Sequence, residues 1–408
     1  MSKLEKYIKM VINVGVNIQK GQKLLINCPV DCAYFARMAM EEAYKSGAED
    51  VMIEWADEYS DRINYLLAPD SNFGKEIAWK AERFKYLVDE GYNFLAVEAS
   101  DPEILKDVDP ERIQKNQRAA RKIRKPFSDK VSSYEIQWCI ACVPTIAWAK
   151  KVFPNAKNDD EAMELMWDAV FHATRIDDND PIKNWESHIE NLIQKRDALM
   201  KHNFKYIHFK NSLGTDLEIQ LPKDHIWVSS GEKAGTGYSN VPNIPTEEVF
   251  TAPLKNGVNG IVYSTKPLTY MGDIADDFWL RFKDGKVIEY GAKKNKHILE
   301  MLLYTHKNGD YLGEVALVPY DSPISKSGIT WYNTLYDENS SCHLGLGNAS
   351  KTNIKGGAGK SDDELDAMGI NRCLASQEIT VGSSDLEIIG VTHDGKEVAV
   401  FKEGNFVI

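Results

Sequence analysis

Residues 23–56, KLLINCPVDCAYFARMAMEEAYKSGAEDVMIEWA, set a helical segment between two short apolar runs, and that order decides the fold of the first half of the chain. Lys23 to Asn27 reads as a short buried strand. Ala33 to Lys45 reads as a helix stopped by Gly47, and Asp50 to Trp55 as a second strand. Strand, helix and strand in this order form a crossover unit, so a parallel sheet is expected.

The pattern extends in both directions. Upstream, Leu4, Tyr7, Ile8, Val11 and Ile12 recur at helical spacing until Gly15, Asn17 and Gly21 interrupt them. Downstream come helical segments around 72–89, a strand at 94–99, a basic helix at 109–125 and a strand at about 135–143. The run RAARKIRK, 118–125, fits a solvated helix face better than an anion site. Residues 159–200 are strongly helical, and DDNDP, 177–181, serves there as stop and cap. A domain boundary follows, giving an N-terminal α/β domain over 1–200.

After Lys201 the texture changes to short strands and turns, among them YIHFKNS, DLEIQL, GIVYSTKP and VALVP. KDGK at 283–286 and HDGK at 393–396 set Asp-Gly between strand-like runs, a hairpin signal. With inserted helices at 297–307 and 362–368, residues 201–408 read as an α+β domain rich in antiparallel strands.

Composition limits the function. With 43% hydrophobic and 10% aromatic residues, 408 residues can fill real cores. The balance of 61 acidic against 49 basic residues, a net charge of −12, argues against nucleic-acid binding. The N-terminal stretch mixes charged and apolar residues within every turn, without a leader or spanning segment, so a cytoplasmic protein away from membranes is expected. Six cysteines are too sparse for a disulfide framework. Cys139 and Cys142 form a CxxC inside an apolar run, which suits core thiols better than a redox pair or half a metal site.

The chemistry is expected in the second half. Asn333 to Gly347, NTLYDENSSCHLGLG, presents one histidine, His343, after the carboxylates Asp337 and Glu338 and before Gly345 and Gly347. Glu247 and Glu248 lie in NIPTEEVFTAP and Glu314 in YLGEVALVP, each among strand formers. A carboxylate buried in such a setting must be paired, protonated or metal-bound. Together these groups suit Zn²⁺, Mn²⁺ or Co²⁺, while strand alternation alone equally allows Glu314 to face water.

The whole chain resembles the M29 family of metallo-aminopeptidases. The likeness rests on GVNIQKGQKLLIN and AYKSGAEDVMIEWAD, on PTIAWAKKVFP, RIDDNDPIKNW and GTDLEIQLP, and on EEVFTAP, LGEVALV, NTLYDENSSCHLGLG and VGSSDLEIIG. It implies metal ligation by Glu248, Glu314 and His343. Where the family carries a histidine and an aspartate two residues apart, this chain has Ser376 and Glu378, and a family tyrosine falls on Ser350. The implied metal set is therefore Glu248, Glu314, His343 and Glu378, for one or two ions of Zn, Co or Mn per chain, with His393 as a possible substitute ligand. The implied activity is removal of N-terminal residues from short peptides, in a homodimer. Two other readings stand beside it: a single-metal enzyme on a small non-peptide substrate, as in a distantly related ring-cleaving pyridine dioxygenase, and an inactive scaffold.

Overall fold

The computed structural model describes residues 1–408 except 100, 102, 177–179, 232 and 271–272. It divides into two compact units, one of 1–187 with 231–245, the other of 188–230 with 246–408. The division falls within the helix Pro181–His202 rather than after it, and a short later segment returns to the first unit.

The first unit holds the parallel sheet that the opening stretch predicts. Strands β1 (Lys23–Pro29), β2 (Asp50–Ala56), β3 (Tyr92–Glu98) and β4 (Trp138–Cys142) lie in the order β2, β1, β3, β4, and the two-residue strand Asn243–Ile244 pairs in parallel beside β4. Leu24, Leu25 and Ile26 of β1 are fully buried, which explains the unbroken apolar run in the sequence. Cys139 and Cys142 are buried free thiols in β4, and burial pushes the Cys139 thiol well above its ordinary value, so Cys139 offers no ready thiolate. The basic run rides on the helix Pro110–Ser132, with Ala119, Ile123 and Phe127 inward and Lys122 and Lys125 paired to Glu76 and Asp129 at the surface. It is a solvated face.

Two features of this half differ from the sequence reading. The N-terminal helix ends at Met10, and residues 11–16 widen into a π-helical turn that ends at Asn17 with φ 52°. A helix over Glu58–Leu67, capped by Asp57, was not expected; it buries none of its residues, so it lacks the core-facing stripe that periodicity detects. Of the expected stop and cap at 177–181, residues 177–179 lie outside the described residues.

The second unit contains two antiparallel sheets. The larger has nine strands among the described residues and includes both expected hairpins. Asp284 and Gly285 both take positive φ in a two-residue loop, whereas the HDGK segment makes a longer turn closed by Thr392 and Lys396. The helices Lys296–Tyr304 and Asp362–Ala367 correspond to the two inserted helices.

The smaller sheet carries the candidate site. Its strands β5 (Val249–Thr251), β6 (Leu312–Leu317), β7 (His343–Gly347) and β8 (Ser376–Thr380) lie side by side in that order, all antiparallel, with Val228–Ser229 beyond β5. Side chains alternate between faces along a strand. One face, with Val249, Val315, Leu317, Leu344, Leu346 and Ile379, belongs to the core of the unit. The opposite face carries Phe250, Glu314, His343, Gly345 and Glu378.

A bulge in β6 sets this division. Leu312 stands opposite Leu346 and Glu314 opposite Gly345, with a register shift between them. In a regular strand Leu312 and Glu314 would share a face; the extra residue, Gly313, sends the leucine to the core and the glutamate to the other side. A Cβ on Gly313 would lie 2.5 Å from the backbone of Asn348 and Gly347, so only glycine fits there.

Candidate metal centre

Three side chains converge on the polar face. His343 is 1% exposed and its Nε2 lies 3.2 Å from Glu248 Oε2 and 3.5 Å from Glu314 Oε1. Glu248 immediately precedes β5, and since Val249 turns into the core the alternation brings Glu248 to the site side. One potential ligand atom from each of Glu248, Glu314 and His343 lies within 4.8 Å of the others. His343 Nδ1 is 3.1 Å from the carbonyl of Ser341, to which it donates, so Nε2 is the nitrogen turned toward the carboxylates.

The electrostatics of the cluster are those of a site short of positive charge. Burial, with the charges of Glu248 and Glu378, raises the Glu314 carboxyl to about 7 against the hydrogen bond from His343. Burial opposes a charge on His343, but hydrogen bonds to Glu248 and Glu314 outweigh it and hold the ring well above 6.5. A proton at Nε2 thus sits between two carboxylates, where a divalent cation could displace it. The donor set of two carboxylates and one imidazole, enclosed and negatively biased, fits such a cation of borderline softness.

The other sequence candidates fall elsewhere. Glu378 stands opposite Gly345 in β8, outside the group whose ligand atoms lie within 4.8 Å, and its Oε1 accepts a 3.0 Å hydrogen bond from Ser376 Oγ. Ser350 opens a short 3₁₀ turn and accepts from the Thr352 N–H. His393 is exposed in its hairpin turn. Glu247 is 2% exposed; its N–H donates to Asn339 Oδ1 at 2.8 Å, and its carboxylate lies 3.7 Å from His188 Nε2.

Glu338 was named in the sequence only as part of an acidic approach, and the structure gives it more weight. It closes the helix Thr334–Glu338, which packs against β8. Its carboxyl is enclosed, and burial followed by the charges of Glu378 and Glu248 drives it well above 4.5. Its neighbour Asp337 turns away and accepts from the N–H groups of Trp331 and Asn333, with Lys266 Nζ at 4.0 Å. Asn339, fully buried, ties the two segments together by accepting from Glu247 N–H and donating to the Leu335 carbonyl.

The chain is 40% identical over 404 residues to aminopeptidase AmpS of Bacillus subtilis, covering 99% of this chain and 98% of the other. It is 41% identical over 403 residues to aminopeptidase 2 of Geobacillus stearothermophilus, covering 99% and 97%. The fold superposes on wild-type AmpT from Thermus thermophilus with a TM-score of 0.93 at 34% identity, over 100% of this chain and 99% of that one. A 2,5-dihydroxypyridine dioxygenase from Pseudomonas putida matches with a TM-score of 0.55 at 10% identity, over 100% and 98%, a likeness of fold alone. The model of the thermophilic metalloprotease family M29 matches residues 1–406, and with relatives of this identity over nearly the whole length the chain belongs to the M29 family.

Proposed function

We propose that the chain is a metal-dependent aminopeptidase that removes N-terminal residues from short peptides, using one divalent ion of Zn, Mn or Co held by Glu248, Glu314 and His343. The observation that carries this reading is the convergence of those three groups on one sheet face in a chain that aligns end to end with aminopeptidases. A bound ion would supply Lewis acidity toward the scissile carbonyl and make a water molecule more acidic. The protein's part is to fix the ligands: the Ser341 carbonyl orients the His343 ring, and the bulge at Gly313 aims Glu314. Glu378 is left out of this ion's ligand set, because its carboxylate accepts from Ser376 and a serine hydroxyl is a poor substitute for an imidazole ligand. A homodimer belongs to the same reading on the resemblance to the family, and a cytoplasmic location on the character of the N-terminal stretch. Among the described residues no helix is long and apolar enough to cross a membrane.

Elemental analysis of protein purified without chelator, together with hydrolysis of leucyl dipeptides, tests the proposal. The expected result is about one tightly held equivalent per chain on ligand-count grounds, with turnover that chelation abolishes. Two equivalents surviving dialysis would overturn the single-ion site. Metal binding without any peptide turnover would overturn the aminopeptidase assignment.

A further inference from the structure

The peptide group that joins Thr246 to Glu247 is held at both ends by side chains distant in sequence. Its carbonyl accepts a 2.7 Å hydrogen bond from Nε2 of His188, on the helix Pro181–His202, and its N–H donates to Asn339 Oδ1 at 2.8 Å. A carbonyl can only accept, so Nε2 carries the hydrogen. The His188 side chain is 10% exposed, and Thr246, Glu247 and Asn339 are buried, so both polar ends of this peptide depend on those two partners.

A peptide unit is planar, so fixing both of its ends fixes the plane, and the plane sets how the next side chains leave the backbone. Glu247 reaches back toward the clamp, its Oε2 3.7 Å from the same His188 nitrogen, whereas Glu248 Oε2 lies 3.2 Å from His343 Nε2. Two adjacent acids exchange places when a chain leading into a strand turns over or slips by one residue. The pair Glu247-Glu248 contains nothing that would prevent this; the clamp does. His188 and Thr246 are also the first residues of the second unit at two of the points where the chain passes into it, so the backbone is secured at its entry, two residues ahead of Glu248.

We propose that His188 is a positioning residue for the metal site: with Asn339 it clamps the Thr246–Glu247 peptide, and so delivers Glu248 rather than Glu247 to the ion. This rests on the metal-dependent reading above, in which Glu248 is a ligand. His188 touches neither the ion nor the substrate in this role; it acts through the backbone, and its contribution is the direction in which one carboxylate leaves the chain. Removing its N–H leaves the Thr246 carbonyl buried without a donor, and the peptide is then free to rotate about the remaining bond to Asn339.

The test titrates the metal-free full chain with Co²⁺, reading affinity by calorimetry and ligand geometry by the visible absorption of the bound ion. His188→Phe and His188→Ala both remove the donor, and the pair guards against a folding defect in either. Each should lose about tenfold in Co²⁺ affinity, the lower end of the range for groups that orient a metal ligand, and should alter the absorption bands. His188→Gln, which offers an N–H at similar reach, should bring affinity and spectrum back toward the parent. Glu247→Gln should bind Co²⁺ as the parent does, because that carboxylate is turned from the ion; loss of binding there would overturn the proposal. A lowered melting temperature in His188→Phe and His188→Ala with parental affinity and spectrum would make His188 a structural residue only, and equal loss in all three His188 variants would show that the ring and not its hydrogen bond matters; either result overturns the clamp. Co²⁺ binding by the parent separates the two levels: parental binding that the His188 variants do not move sinks the positioning role alone, whereas a parent that binds no Co²⁺ sinks the metal-dependent reading and this role with it.

Discussion

Glu314 is where charge, burial and the proposed ligation meet, and its titration has a sign that can be checked. Its carboxyl is raised to about 7 in the metal-free fold, above the ordinary 4.5, so its neutral form contributes stability below about pH 4.5 that is lost as pH rises through about 7. His343, held well above 6.5, acts in the same direction. Metal-free protein should therefore melt at a lower temperature at pH 8 than at pH 6, while the increment gained on adding Mn²⁺ or Zn²⁺ should grow over that range as protons leave the ligands. Glu314→Gln should reverse the pattern: a higher melting temperature than the parent without metal, and no response to metal. Equal melting temperatures for parent and variant, neither moved by metal, would remove Glu314 from the site. This residue and His343 were picked out in the sequence as polar groups within apolar or glycine-bounded segments, whereas Glu248 was chosen over its neighbour Glu247 only through the family resemblance. Glu338 was not, because local pattern does not tell which of two adjacent acids on a five-residue helix faces the site and which binds Trp331 and Asn333.

At the level of elements, the bulge in β6 and the tie through Asn339 do most to aim the site. Gly313→Ala places a methyl group 2.5 Å from the Asn348 backbone, so either strands β6 and β7 separate or the bulge shifts. The expected cost is about 1–3 kcal/mol, as for other overpacked positions, with loss of metal affinity well beyond what the stability change alone would produce. Denaturant melts and metal titration of the same variant decide it. Asn339→Ala strands a Glu247 N–H and a Leu335 carbonyl, and should cost about 2–4 kcal/mol at about 1–3 per buried unsatisfied group; Asn339→Asp, which can still accept from Glu247, should recover part of it. The strands themselves were readable from alternation and the KDGK hairpin from its turn chemistry. The bulge was hidden, since LGEVALVP looks regular in sequence and the register shift exists only against the partner strand.

On the scale of the whole chain, the parallel sheet of the first unit and the antiparallel sheets of the second followed from apolar periodicity, whereas the return of residues 231–245 to the first unit did not. That return is made by Asn243–Ile244 pairing with β4 and by scattered hydrogen bonds such as Val241 N–H to the Gly15 carbonyl and Gly235 N–H to the Tyr134 carbonyl, contacts too short and irregular to leave a pattern. The proposed metal ligands Glu248, Glu314 and His343 all lie in the second unit, so added Mn²⁺ should raise the unfolding transition of that unit and leave slow amide exchange in β1 and β3 unchanged. Exchange measured residue by residue with and without metal checks this, and equal protection gained in both units would refute it. The returning segment also bears on biosynthesis. A ribosome releases the chain from its N-terminus, so β4 emerges with one edge open and stays so until about a hundred further residues have been translated. During that interval the nascent chain exposes an unpaired parallel edge, the kind of surface that chaperones cover and that misfolded neighbours extend. Slow codons or a stall between residues 143 and 243 should therefore lower the soluble yield more than the same delay placed after Pro245.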